Sequence, residues 1–181
     1  MSILTTPLPT TVKIAGIDYP INTDFRAGIT FETLMQGEED DTNKILKALE
    51  LYYGGIPSAP EEAIEKMLWF YRGGTDEESD SSGGPQAYSF EEDADFISAA
   101  FLDQYQIDLT DVEMHWWKFR ALMSGLTDKN RIVEIMGYRT VKISNEMSKG
   151  QKQFYQKMKK AYRLNAKKGR RKPSALEKEL M

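Results

Sequence analysis

The sequence contains no cysteine and a single histidine, His115, among its 181 residues. The absence of cysteine excludes disulfides, thiol nucleophiles and every zinc site that needs a cysteine ligand. A hydrolytic triad would have to use His115, whose neighbours in the sequence supply neither a nucleophile nor an orienting carboxylate. We therefore expect a partly buried, hydrogen-bonded histidine, no metal, no cofactor and no enzymatic activity.

The sequence also lacks long apolar runs and glycine-rich phosphate loops. No segment approaches the 18 consecutive apolar residues that indicate a membrane-spanning helix. The first residues, MSILTTPLPTT, show neither the basic nor the apolar region of a secretory signal. The motifs G-x-x-x-x-G-K-[ST] and G-x-G-x-x-G are absent. We therefore expect a cytoplasmic protein that neither contacts a membrane nor binds nucleotides through such loops.

Each half of the chain is poor in charge of one sign. Residues 1–110 carry 21 acidic and 6 basic side chains, whereas residues 111–181 carry 7 acidic and 18 basic ones. The net charges are −15 and +11, which the overall value of −4 conceals. A basic end can contact nucleic acid, an anionic membrane or an acidic protein surface, including the acidic half of this chain or of a second copy. It can also be a solvated helical face.

The spacing of apolar residues predicts a mainly α-helical fold. We expect a helical bundle with a small N-terminal β-hairpin at 12–21 and a basic C-terminal helix and tail. Helices are predicted at 24–35, 42–53, 60–72, 90–105, 110–125, 128–136 and 145–168, with capping boxes at Ser58, Ser89 and Thr110. A compact, mostly helical domain should cover 1–140, with a mobile acidic linker at 73–87. Residues 141–181 should form a basic helix and a flexible tail.

Methionine and aromatic residues are abundant, with 9 Met, 9 Tyr, 8 Phe and 3 Trp. Most should lie in the core, although adaptable helix-binding grooves use the same residue types. Adjacent residues on a helix lie ~100° apart. We therefore predict that His115, Trp116 and Phe119 form a structural motif and that Trp117 faces a second interface. The candidate partner-binding residues are Tyr52, Tyr53, Met67, Tyr71, Trp117, Lys152, Lys159, Lys160 and Arg163.

Three segments carry a resemblance to a known family. They are YPINTDFR at 19–26, AAFLDQYQIDLTDVEMHWWKFRALMSGL at 99–126 and RIVEIMGYR at 131–139. They resemble the bacteriophage gene-product-15 family of long-tailed phages and prophages, and the resemblance extends from about Val12 to Leu164. The position of that family in tail gene sets implies a tail assembly chaperone. The resemblance supplies no catalytic residues.

Such a chaperone coats the tape measure protein, keeps it soluble and is displaced by tail tube subunits. The resemblance therefore implies the tape measure protein and the major tail tube protein as partners. It also implies a location in the cytoplasm of the infected or lysogenic bacterial host, and absence from the mature virion. The opposite charges of the two halves favour head-to-tail association of copies of this chain.

Two other functions remain open from the sequence. The basic residues KKGRRK at 167–172 could neutralise the phosphates of a nucleic acid, although the acidic half of the chain would repel it. The protein could also be a structural tail-completion or connector protein of the virion.

Overall fold

The computed structural model of the chain describes residues 4–75 and 84–164. Most of the predicted acidic linker, the tail beyond Leu164 and the basic cluster at 167–172 lie outside the described residues. Predictions about those segments therefore stay predictions.

A β-hairpin opens the fold, as the sequence predicts. Strand β1 (Thr11–Ile14) pairs antiparallel with β2 (Ile17–Pro20), with Val12 opposite Tyr19. The two turn residues, Ala15 and Gly16, have φ values of 49° and 79°, and this left-handed pair suits the twist of a two-residue hairpin. Because Val12 and Ile14 are buried, the hairpin packs one side of β1 into the core.

Seven helices follow within the described residues, which confirms the mainly α fold. They are α1 (Phe25–Gln36), α2 (Asp41–Tyr53), α3 (Pro60–Tyr71), α4 (Ala94–Tyr105), α5 (Trp116–Ser124), α6 (Arg131–Thr140) and α7 (Lys149–Ala161). The first three agree with the predicted bounds to within a few residues. The predicted helix at 110–125 begins only at Trp116. Residues 109–111 form a turn, in which the Asp108 carboxylate accepts a hydrogen bond from the Thr110 amide at 2.8 Å, and residues 112–114 are irregular.

The predicted capping boxes at Ser58, Ser89 and Thr110 do not cap helices. Helix α3 begins after Ala59 without a side-chain cap, and α4 begins five residues beyond Ser89, at Ala94. Within the described residues a capping box forms at the start of α7, where the Ser148 hydroxyl accepts from the Gln151 amide at 3.2 Å. The Gln151 side chain accepts in return from the Ser148 amide at 2.9 Å. Reciprocal bonds of this kind satisfy amides that the helix leaves without partners.

The described residues divide into two compact units. Unit 1 comprises residues 4–75 and 113–121, and it contains the hairpin, α1, α2, α3 and the first residues of α5. Unit 2 comprises residues 84–112 and 122–164, in which α6 packs against both α4 and α7. The predicted domain boundary near residue 140 stays a prediction.

A buried ion pair organises unit 2. The Arg139 guanidinium donates two hydrogen bonds to Asp93, at 2.6 and 2.9 Å, with both side chains less than a tenth exposed. Arg139 also donates to the backbone oxygens of Ala87 and Tyr162. Asp93 accepts a further bond from the Ser89 amide at 2.9 Å. One side-chain pair therefore links α6 to the start of α4 and to the end of α7.

Candidate functional site

The His-Trp-Trp motif lies in unit 1, where short backbone bonds fix its position. The Trp116 amide donates to the Thr23 oxygen at 2.7 Å, and the Phe25 amide donates to the Met114 oxygen at 2.9 Å. These bonds form a β-bridge between Asp24 and His115 just before α1 and α5 begin. The first residues of the two helices are therefore held side by side.

Both indoles donate hydrogen bonds to the C-terminal end of α3. The Trp117 Nε1 donates to the Phe70 oxygen at 2.6 Å, and the Trp116 Nε1 donates to the Tyr71 oxygen at 2.8 Å. The Arg120 guanidinium adds a bond to the Tyr71 oxygen at 3.1 Å. The last carbonyls of a helix have no partner within the helix. The motif therefore supplies side-chain donors for the last carbonyl oxygens of α3.

Two glycines make room for the indole rings. A Cβ atom on Gly28 would lie 2.4 Å from the Trp116 ring, and one on Gly74 would lie 2.6 Å from the Trp117 ring. Gly74 also has a φ of 80°, a left-handed conformation that glycine adopts without strain. The tryptophans and these glycines therefore form one packing arrangement.

His115 is partly buried and hydrogen-bonded, as the sequence predicts. Its Nδ1 accepts from the Trp117 amide at 3.1 Å, which leaves Nε2 as the protonated nitrogen that donates to the Pro9 oxygen at 3.0 Å. Both ring nitrogens are thus engaged by backbone groups. The arrangement positions the segment before β1 against the start of α5.

Three of the predicted partner-binding residues lie in the core of unit 1. Tyr52 and Met67 are each 2% exposed and Trp117 is 6% exposed. The expectation that Trp117 faces a second interface is therefore wrong, because its ring packs against Trp69 and Phe70 instead. In this conformation none of the three side chains is available to a partner.

Tyr53 and Tyr71, the other two tyrosines among the predicted partner-binding residues, are half-buried and hydrogen-bonded within unit 1. The Tyr53 hydroxyl donates to the Ala63 oxygen at 2.9 Å, and burial raises the pKa of its phenol. The Tyr71 hydroxyl donates to the Glu32 carboxylate at 3.0 Å. Burial raises the pKa of Glu32, and the hydrogen bond from Tyr71 opposes that shift.

The predicted basic residues lie on or just after α7 in unit 2, and they divide into two groups. Lys152 and Lys159 donate to backbone oxygens of their own unit, Asn145 at 3.3 Å and Arg139 at 2.7 Å. Lys160 and Arg163 are exposed. The second pair is therefore available to a partner, while the first pair stabilises the fold.

Sequence reasoning missed two exposed apolar surfaces. The first is a groove of about 420 Å³ at the C-terminal end of α1, lined by Ile29, Thr30, Thr33, Leu34, Gly37, Glu38 and Glu39. The second is one side of α4, where Phe96 is 39% exposed and Leu102 is 51% exposed. The signal in the sequence was the composition of α4, which carries apolar residues all round.

Across residues 4–75 and 84–164, no group of three or more histidine, aspartate or glutamate side chains is arranged to hold a metal ion. In the same part of the chain, no helix combines the length and the apolar character needed to cross a membrane.

The fold and this site define a mainly α-helical protein in which an aromatic motif joins three helices of one unit. The chain matches the family model described as Bacteriophage Gp15 protein over residues 4–164. The protein therefore belongs to the Bacteriophage Gp15 protein family and is a bacteriophage protein. No significant match was found among curated proteins or among solved structures.

Proposed function

We propose that this protein is a phage tail assembly chaperone and not an enzyme. It binds the tape measure protein, keeps it soluble and helps to recruit tail tube subunits. It acts in the cytoplasm of the infected or lysogenic host and is absent from the mature virion. The observation that carries this proposal is membership of the phage family over residues 4–164, because the family's place in tail gene sets implies this role.

The groove at the end of α1 supports a binding role. Ile29 and Leu34 line it together with Glu38 and Glu39, and the Glu39 carboxylate forms an ion pair with Lys47 at 2.6 Å. Amphipathic helices bind proteins by placing an apolar face in a groove of this kind. The groove suits a helix of the tape measure protein that carries apolar residues next to a basic one.

The state of His115 also favours binding over catalysis. A general base must be free to accept a proton from a substrate. The Nδ1 and Nε2 atoms of His115 are engaged by the Trp117 amide and the Pro9 oxygen. The only histidine therefore serves the fold of unit 1.

The experiment for the groove compares two apolar-to-acidic variants. Ile29→Glu and Leu34→Glu place a charge in the groove, whereas Ile17→Glu places the same charge on the hairpin, at a side chain already 58% exposed. Burial of one such apolar side chain contributes ~1.5–3 kcal/mol. We expect each groove variant to bind a tape measure fragment at least about tenfold more weakly, and the control to bind like the unchanged protein.

Two results would count against this account. If the groove variants bind like the control, the tape measure protein uses another surface. If the unchanged protein binds no fragment of the tape measure protein, the chaperone function is wrong. The alternative of a structural virion protein predicts stoichiometric copies in purified virions, which mass spectrometry detects and which the chaperone proposal excludes.

A further inference from the structure

Helix α4 has apolar residues on opposite sides, and only one side is covered. Ile97, Ala100 and Phe101 are buried in unit 2. Phe96, Ala99 and Leu102 recur every three residues along the exposed side, where they lie next to one another. A helix that is apolar all round usually has a partner on both sides.

The exposed side of α4 is also acidic. Asp95 and Asp103 lie on it, and the sequence of α4 contains no lysine or arginine. Neither carboxylate has an ion pair or a side-chain hydrogen bond within the described residues. We call the set Asp95, Phe96, Ala99, Leu102 and Asp103 the acidic face.

Helix α7 presents the complementary combination. Phe154 is 48% exposed, and Lys157 and Lys160 follow it at helical spacing on the same exposed side. The sequence of α7 contains no aspartate or glutamate. Neither lysine has an ion pair or hydrogen bond within the described residues, in contrast to Lys152 and Lys159. We call the set Phe154, Lys157 and Lys160 the basic face.

We propose that the acidic face of one copy binds the basic face of a second copy. The two faces match in charge, and each has an aromatic side chain beside its charged residues. Within unit 2, α6 packs against α4 and α7, and both faces remain exposed. Because the two faces do not cover each other within one copy, the pairing joins different copies. A contact between unlike faces leaves one face free at each end, and copies therefore add head to tail.

The size of the faces sets the strength of the contact. Helices of 12 and 13 residues bury less area than a standard protein interface, so the association is weak and reversible. Exposed charges are screened by salt, so the association weakens as salt rises. The role of this association rests on the proposed function: copies joined head to tail would form a removable array along the tape measure protein. Self-association itself is measured without the tape measure or tail tube protein.

The test uses sedimentation velocity on the full chain and on two charge-reversed variants. Asp95→Lys/Asp103→Lys makes both faces basic, and Lys157→Glu/Lys160→Glu makes both faces acidic. The unchanged protein should associate at low salt. The dissociation constant of this self-association should be at least about fivefold higher near 0.5 M salt. Each variant alone should be monomeric. An equal mixture of the two variants should associate again, because every contact in it then joins opposite charges.

Matched controls distinguish the effect of the two faces from the effect of net charge. Asp128→Lys/Glu146→Lys and Lys118→Glu/Lys129→Glu change the net charge equally at exposed positions outside α4 and α7. Both controls should associate like the unchanged protein. The neutral variants Leu102→Ala and Phe154→Ala should each raise the dissociation constant of the self-association at least about threefold. Because the Phe154 ring also contacts the Tyr138 ring of α6, circular dichroism must show that Phe154→Ala is folded.

Four results would overturn the inference. The unchanged protein could be monomeric at low salt and high concentration. The reversed variants could associate like the unchanged protein, or their mixture could stay monomeric while circular dichroism shows that both are folded. Finally, variants of the two faces could keep their association and yet lose binding of the tape measure protein, which would assign the faces to that partner. A loss of tape measure binding in the groove variants alone leaves self-association unchanged, so the two proposals fail separately.

Discussion

Replacing Gly28 by alanine is expected to destabilise unit 1, although alanine is the better helix former. Gly28 lies in α1, and the added Cβ would lie 2.4 Å from both Cδ2 and Cε3 of Trp116. Ordinary contact begins near 3.4 Å, so one of the two groups must move by about an ångström. The ring cannot move freely, because its Nε1 is bonded to the Tyr71 oxygen at 2.8 Å. It also stacks between Tyr71 and Phe119, with centroids at 5.4 and 5.8 Å.

The magnitude follows from two opposing terms. Glycine to alanine within a helix stabilises by about 1 kcal/mol. Overpacking a well-packed core costs ~1–3 kcal/mol, and the rigid surroundings of Trp116 favour the upper end. The net effect should be a loss of about 2 kcal/mol in the free energy of unfolding, or a fall of roughly 4–8 °C in Tm.

The assay is urea unfolding followed by tryptophan fluorescence. All three tryptophans, Trp69, Trp116 and Trp117, lie in unit 1, so the signal reports on that unit. The matched control is Gly137→Ala in α6, where a Cβ meets nothing within 4 Å. This control should stabilise unit 2 by up to about 1 kcal/mol, measured by circular dichroism. In a Trp116→Leu background the cost of Gly28→Ala should largely disappear. Unfolding of Gly28→Ala at the same or a higher urea concentration than the unchanged protein would refute the reasoning.

Two further predictions concern buried charges. Because burial raises the pKa of Glu32 above its ordinary value of 4.5, its contribution to stability is full below pH 4.5 and is lost as pH rises through the raised pKa. Glu32→Gln should therefore gain stability relative to the unchanged protein from acidic to neutral pH, and a difference that is constant with pH in urea unfolding would contradict this. Asp93→Asn leaves the Arg139 guanidinium without its counter-charge in unit 2, so unfolding followed by circular dichroism should show a loss of ~3–5 kcal/mol. Asp103→Asn, an exposed control, should change stability by less than about 0.5 kcal/mol, and equal effects of the two variants would exclude a structural role for the pair.

The local pattern of the sequence was enough to predict the mainly α fold. Apolar stripes placed α1, α2 and α3 to within a few residues, and the left-handed pair at Ala15 and Gly16 agrees with the hairpin expected around Gly16. The periodicity of apolar residues indicates which side of a helix faces the core, provided that the helix packs on one side only. Helix ends were less predictable, because partners distant in sequence decide them. Asp108 and Thr23 shorten the predicted helix at 110–125.

The role of the tryptophans depends on distant partners in the same way. A separation of ~100° between Trp116 and Trp117 suggests two different environments. The end of α3 offers two adjacent carbonyls, at Phe70 and Tyr71, and therefore accepts both indoles at once. Nothing in the sequence near residue 116 encodes the position of residue 70. The acidic face of α4 was missed for a related reason, since a helix that is apolar all round gives no contrast between its sides.

The measurement that tests the central claim most directly is co-expression of this chain with the tape measure protein of the same phage, scored by the soluble fraction of the tape measure protein. The account predicts that the tape measure protein is insoluble alone, becomes soluble with the unchanged chain, and stays soluble with Ile17→Glu but not with Leu34→Glu. A tape measure protein that remains insoluble beside well-expressed, folded chain would contradict the account.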